Sequence, residues 1–441
     1  MKYLSETKDI VKIYKIFAAK CIQFMKKAVL LIVLGLQIAQ TWASGAKKDS
    51  TQIEIKRQPF LSLQMNEGII LPTNDFIINS KENPTFSSVS IKYGFSATKT
   101  RWQDYAYGMP YSGVGLMVAE SFNKQELGSP FALYAFQGTT ISNLSSKAKL
   151  NFEWFLGASF NWNPYDPFDN PENIALGSAT NIYVGGNIYT KFRLNNEWDI
   201  HTGIGLSHFS DGATRLPNKG INLVSATVEF CYNFNRNSIA ENEQALSPPK
   251  IDKRIDYDFL INISSRQKKF DTISTNLPSP YVDKNFSVFG VTFAPMIVKS
   301  YKYKYGAGVD FLYDESSGAR AWRQLNPYDG KEYDRVKPGD FGERISLGVS
   351  ARGELEMPMY SIFANLGYNI VHGNKADKRI YQVMGVKVYL KENLFGTFGI
   401  RASKFSKAQY LYWSLGYTIP GKLFSEKHPF SVKIRRPASS S

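Results

Sequence analysis

The sequence predicts an all-β protein, a transmembrane antiparallel up-and-down β-barrel of about 14–16 strands. Three observations carry that expectation. Apolar and polar residues alternate along many membrane-length segments: Ile182, Val184, Ile188, Phe192 and Leu194 share one face, against Tyr183, Asn187, Tyr189, Lys191 and Arg193 on the other. Aromatic residues make up 14% of the chain, yet its mean hydropathy is that of a soluble protein. Lipid-facing apolar residues alternating with polar lumen residues, with aromatic girdles at both interfaces, produce both facts at once. Finally, short turns (Asn195-Asn196, Met357-Pro358, Lys391-Glu392-Asn393) and long loops (163–179, 211–220, 269–283, 315–341) fall on opposite sides if strands alternate in direction. That asymmetry is the barrel rule for inner and outer ends. A soluble β-sandwich would show similar alternation without needing strands of this length.

In chain order, residues 1–24 form no clear element. From Met25, which has the features of a true start, Lys26-Lys27 make a positive n-region, residues 28–39 an apolar stretch, and Thr41-Trp42-Ala43 a cleavage site. Residues 1–43 are therefore expected to be an N-terminal extension and signal peptide, and 44–57 a lead-in. Strands are predicted near 58–70, 85–98, 112–123, 129–140, 148–162, 180–194, 198–210 and 221–234, the barrel strands of a first region, 58–234. After a linker at 235–254, rich in Asn, Ser and Pro, a second region (255–420) has strands near 255–268, 284–298, 302–314, 342–356, 359–371, 379–391, 394–404 and 408–419. A basic tail, 421–441, closes the chain. One large barrel is the favoured reading of these strands and two smaller ones the alternative.

Composition narrows the function. The formal charge is +15, and residues 1–43 hold seven Lys and two acidic residues, which leaves a mature chain near +10. Of the two cysteines, Cys21 precedes the cleavage site, so the mature chain keeps only Cys231 and has no internal disulfide. No Gly-x-Ser-x-Gly elbow, zinc pattern or phosphate loop occurs, and nothing points to nucleic acid.

The chemistry concentrates between Asp199 and Phe230. Side chains alternate along a strand, so Ile200, Thr202, Ile204 and Leu206 share a face whose next members are His208 and Ser210. A turn-rich loop follows (Asp211, Gly212, Pro217, Asn218, Gly220), and the returning strand starts the same face with Asn222, then Val224, Ala226, Val228 and Phe230. A base, a hydroxyl and an amide thus converge beside an apolar stripe. The plain alternative is a pair of polar residues in the interfacial belt. His201 has the opposite parity and is expected in the lumen; His372 at a strand end and His428 in the tail are expected to be structural or solvated.

The same residues carry a resemblance. His208-Phe209-Ser210-Asp211-Gly212, followed by Leu216-Pro217-Asn218-Lys219-Gly220-Ile221, resembles the signature of the outer-membrane lipid A 3-O-deacylases, and Asn173-Ile174-Ala175-Leu176-Gly177-Ser178 with Asn181 is similar to that family's upstream segment. The resemblance covers roughly residues 85–234. It implies that Ser210 is the nucleophile, His208 the base, and Asn222 the third member in the position where the family has Glu. It implies a site on the outer wall of the barrel, facing lipid A (lipopolysaccharide) in the outer leaflet of a Gram-negative cell, with Asp211 and Gly212 near the oxyanion and Arg215 and Lys219 as substrate-binding cations. No cofactor or metal is expected, because Ser and His supply both nucleophile and proton transfer. Two departures stand out. Asn222 can orient an imidazole but cannot offset its charge, and Asp211 replaces an Asn, so an ionised carboxylate would oppose a developing oxyanion.

The leading expectation is an outer-membrane serine esterase removing an ester-linked acyl chain from lipid A. The alternatives are a non-enzymatic barrel, porin-like or surface-structural, and an esterase or acyltransferase acting on glycerophospholipids. The charged loop 315–341 (Arg320, Arg323, Lys331, Arg335, Lys337 among Asp and Glu) is expected to be solvated.

Overall fold

The computed structural model describes residues 57–80, 84–98, 101–234, 236, 247–248, 251, 253–358, 360–405 and 407–421. The expected signal peptide, His428, most of the linker and nearly all of the basic tail lie outside them.

Eighteen strands are present among the described residues. The first eight are β1 (Gln58–Ile70), β2 (Thr85–Ser96), β3 (Tyr111–Ser121), β4 (Gly128–Asn143), β5 (Ala148–Trp162), β6 (Asn181–Arg193), β7 (Trp198–Ser210) and β8 (Ile221–Asn233). After them come β9 (Arg254–Arg266), β10 (Phe286–Val298), β11 (Tyr303–Asp314), β12 (Arg320–Leu325), β13 (Glu332–Lys337), β14 (Ile345–Glu356), β15 (Ser361–His372), β16 (Ile380–Lys391), β17 (Leu394–Ser403) and β18 (Lys407–Ile419). The period-2 pattern locates the barrel strands to within a few residues, because a slip of one residue would turn every apolar side chain inward.

The single large barrel favoured from the sequence is corrected. Strand β8 pairs with β1 (Leu63↔Phe230) and closes β1–β8 into one barrel. Likewise β18 pairs with β9 (Leu260↔Gly416) and closes the remaining strands, β12 and β13 apart, into a second. Unpaired strand edges are intolerable in hydrocarbon, and sealing β8 onto β1 leaves no edge for β9. Alternation is identical under either closure, so the pattern alone could not choose. The loop 315–341 is also more ordered than expected. It carries the two-stranded sheet β12–β13, with Arg323 against Glu332 (3.1 Å) and Asp334 (3.7 Å).

Both barrels are inside out relative to a soluble protein. On β7, Ile204 and Leu206 are 62% and 61% exposed while Asp199 and His201 are buried. On β1, Leu61, Leu63 and Met65 are exposed between buried Ser62 and Gln64. A continuous exposed apolar wall belongs in lipid. Eight strands leave a lumen just wide enough to fill with side chains, and here ion pairs fill it. Lys92 bridges Glu153 (2.7 Å) and Glu229 (3.0 Å) in the first barrel, and Lys387 bridges Asp258 (2.7 Å) and Glu354 (3.2 Å) in the second. Buried charges persist only when paired in this way.

The two barrels touch at both ends. At the short-turn end Trp154 Nε1 donates to Tyr360 Oη (2.7 Å). At the long-loop end Gln267, just after β9, donates its amide N–H to Ala213 O (3.3 Å) and accepts from Leu216 N with its side chain (2.8 Å).

Candidate active site

Antiparallel register sets the site. On the β7–β8 hairpin His208 pairs with Asn222 and Phe209 with Ile221, so His208 and Asn222 stand side by side on one face. Phe209 points the other way, buried between Tyr183 (ring centroids 4.8 Å) and Trp162 (4.9 Å). That anchor holds the strand end so that His208 and Ser210 project outward. His208 Nδ1 lies 2.7 Å from Asn222 Oδ1, and Nε2 lies 2.8 Å from Ser210 Oγ.

The network selects a tautomer. Asn222 Nδ2 donates to Thr73 Oγ1 (2.9 Å), and Thr73 turns its own hydroxyl toward Leu71 O (3.5 Å). Asn222 Oδ1 must then accept, which requires the proton of His208 on Nδ1 and leaves Nε2 as the lone-pair nitrogen facing Ser210. A Ser hydroxyl aimed at a bare imidazole nitrogen is the arrangement nucleophilic catalysis needs.

The loop beneath the site is held by close packing and hydrogen bonds. Gly220 has φ +74°, and a Cβ there would lie 2.6 Å from His208 Cε1. Its carbonyl accepts from Asn74 Nδ2 (3.0 Å) and its N–H donates to Ala175 O (2.9 Å). The upstream segment is scaffold: Asn173 donates to Glu126 O (3.0 Å) and Asn163 O (2.8 Å), and accepts from the amide of Ala175 (3.2 Å). A Cβ on Gly177 would lie 2.7 Å from Pro217 O, so this segment and the 211–220 loop interlock. Asn181 only secures Ser178 O (2.8 Å).

The remaining sequence candidates separate. Asp211 Oδ2 accepts from the amide of Arg215 (3.1 Å), while its other oxygen, Oδ1, is buried with no hydrogen-bond partner. Burial pushes this carboxyl up to about 7, against the pull of the amides of Arg215, Ala213 and Thr214. Gly212 sits with φ +65° directly after it. Lys219 lines a cleft next to Ser210, and Arg215 is not among that cleft's lining residues.

That cleft, of about 730 Å³, is the feature sequence reasoning missed. One wall is His208, Ser210 and the 216–220 loop; the other is the second barrel, including Met384, Ile400, Ala402 and Phe405. No periodicity signals it, because it forms between segments nearly two hundred residues apart.

The other histidines lie elsewhere. His201 stacks on Tyr189 (4.8 Å) in the lumen, and His372 Nε2 bonds to Asn374 O (2.7 Å). Asp199, His201 and Cys231 bring ligand atoms within 4.8 Å of one another. Lys191 (2.9 Å) and Arg236 already hold Asp199 there, so a metal cation would meet two positive charges. The cluster is in the lumen, on the opposite side of the β7 wall from Ser210.

Comparison with known proteins adds the family. The family model described as Lipid A 3-O-deacylase (PagL) matches residues 90–230, and that described as Acyloxyacyl hydrolase, C-terminal domain, matches residues 255–422. No curated protein matches the chain. Among solved structures, the translocator domain of the autotransporter NalP from Neisseria meningitidis aligns at 9% identity over 90% of this chain and 97% of that one, with a TM-score of 0.16. The β-domain of the Bordetella autotransporter BrkA aligns at 9% identity over 82% and 99%, with a TM-score of 0.21. Superpositions this loose carry no functional comparison.

Proposed function

The chain belongs to the lipid A 3-O-deacylase family, and from that premise we propose that it is an outer-membrane serine esterase that removes an ester-linked acyl chain from lipid A. The observation that carries this is the two-sided hold on His208, 2.7 Å to Asn222 and 2.8 Å to Ser210.

Ser210 Oγ attacks the ester carbonyl as His208 Nε2 takes its proton. The tetrahedral intermediate collapses when His208 returns that proton to the departing alkoxide on the sugar, leaving the acyl group on Ser210. Water, deprotonated by His208, then releases the fatty acid and restores the hydroxyl. Asn222 keeps the Nδ1–H fixed throughout, orienting the ring without supplying charge. We assign the oxyanion to the backbone at Gly212, since the Asp211 side chain is engaged with the amide of Arg215. The site sits at the long-loop end, which by the barrel rule is the outer one, so a lipid of the outer leaflet reaches it by lateral diffusion. The ion pairs packed across both lumens speak against the porin-like alternative.

Mass spectrometry of lipid A from cells expressing the wild-type chain or Ser210→Ala tests the reading. The wild-type chain should yield lipid A lighter by one ester-linked acyl group; identical acylation in both would remove it.

A further inference from the structure

Resting on that reading, we infer that the second barrel is part of the substrate site: its outer wall, with Met384, Ile400 and Phe405, forms the far side of the groove that holds the acyl chain attacked by Ser210.

The argument begins with the loop after the nucleophile. Gly212 is pressed against β18, where a Cβ at 212 would lie 2.3 Å from Leu411 Cδ2 and 3.4 Å from Ile400 Cδ1 on β17. The chain immediately following Ser210 is therefore shaped by the second barrel rather than by lipid. Gln267 fastens the same loop at Ala213 and Leu216, and Trp154 with Tyr360 fastens the barrels at the other end. The gap between them is thus held open at a set width, and Ser210 and His208 open into it.

Its volume, about 730 Å³, falls in the range of sites that enclose much of a ligand. Met384 and Ile400 share the outward parity of β16 and β17 and give the second-barrel side an apolar stretch, while Arg266 and Asp377, which also line the cleft, neutralise each other (2.6 Å). Lys219, Lys269 and Lys407 line the same cleft, two of them on loops at the long-loop end and Lys407 at the first residue of β18. Apolar walls under a cationic rim match a lipid with an apolar chain and an anionic phosphorylated headgroup. A barrel alone in the membrane would leave that chain among bulk lipids; a second barrel selects it by shape.

The test uses the full chain carrying Ser210→Ala in detergent micelles, with purified lipid A as probe and native mass spectrometry to count bound lipid. Met384→Trp and Ile400→Trp each fill the groove and should weaken binding about tenfold or more. Leu366→Trp, on an exposed outward position of β15 that does not line the cleft, should leave it unchanged, and heat-modifiable gel migration reports that each barrel is folded. Lys407→Glu should weaken binding of phosphorylated lipid A more than that of the dephosphorylated lipid. Equal binding by the cleft variants and Leu366→Trp overturns the proposal, as does equal weakening for both lipids its headgroup half. Groove-dependent binding with no Ser210-dependent hydrolysis in the active chain would sink the esterase reading alone and leave the groove standing.

Discussion

Gly220 lies directly against the imidazole of His208, so close that a Cβ at 220 would come within 2.6 Å of Cε1. Its φ of +74° is one that side chains resist. The glycine therefore acts as the floor on which the imidazole rests. Gly220→Ala is expected to tilt the ring off Ser210 and lower deacylation about a hundredfold, the scale of a misplacement near 1 Å. Heat-modifiable migration should stay that of the wild type. Full activity in the alanine variant would show that the ring has room to spare.

The orientation of His208 passes through Asn222 to Thr73. Asn222→Ala should lower the rate through lost orientation while the barrel stays folded. Asn222→Glu should preserve or raise it, because a carboxylate favours the imidazolium formed during attack. Thr73→Val frees Asn222 to rotate and should lower the rate by less than Asn222→Ala, with Thr73→Ser restoring it. Rate measurements on lipid A in micelles decide this. If Thr73→Ser is as slow as Thr73→Val, the hydroxyl does not set the amide.

The carboxyl of Asp211 makes the loop pH-sensitive. Burial lifts it from an unfolded value of 3.8 to about 7. The folded chain then holds this proton more tightly than the unfolded chain does. The stabilising contribution is complete below about 4 and is lost as pH rises through 7. Thermal unfolding in detergent should show stability declining between pH 4 and 7, with the decline flattened by Asp211→Asn. The same variant should keep activity above pH 7, where the native carboxylate puts negative charge one residue before Gly212, the backbone proposed to hold the oxyanion. If only Asp211→Asn abolishes activity and Asn222→Ala does not, Asp211 is the third member of the triad instead.

Lys92 neutralises two buried carboxylates in the first lumen. Lys92→Met leaves Glu153 and Glu229 facing each other and should cost about 3–5 kcal/mol of stability. Activity per folded molecule should be unchanged, since the cluster and Ser210 lie on opposite sides of the barrel wall. A melting temperature equal to the wild type would show that water, or a proton shared between the carboxylates, replaces the lysine.

Much of the candidate site was legible in the sequence. The parity of His208 and Ser210 follows from a strand period of two, and β7 spans 198–210 as expected. Asn222 was placeable because the returning strand alternates too, so Val224, Ala226, Val228 and Phe230 mark the face on which Asn222 begins. Thr73 was not legible, since it comes from the loop after β1 and reaches Asn222 only because β1 closes onto β8. Nor was the contact of Gly220 with His208, which depends on the path of the loop rather than on its composition.

By itself, then, the sequence determined what is local and periodic: the all-β class, the positions of the barrel strands, the apolar outer wall, and the convergence of Ser210, His208 and Asn222 on one face. Tertiary structure decided how the edges close. Closure depends on which strand edges meet, and alternation carries no information about that, so two eight-stranded barrels and one of sixteen read alike. The cleft beside Ser210 exists only because β8 seals against β1 and the next strand must start a new barrel, which then packs Leu411 and Ile400 against the loop that follows Ser210.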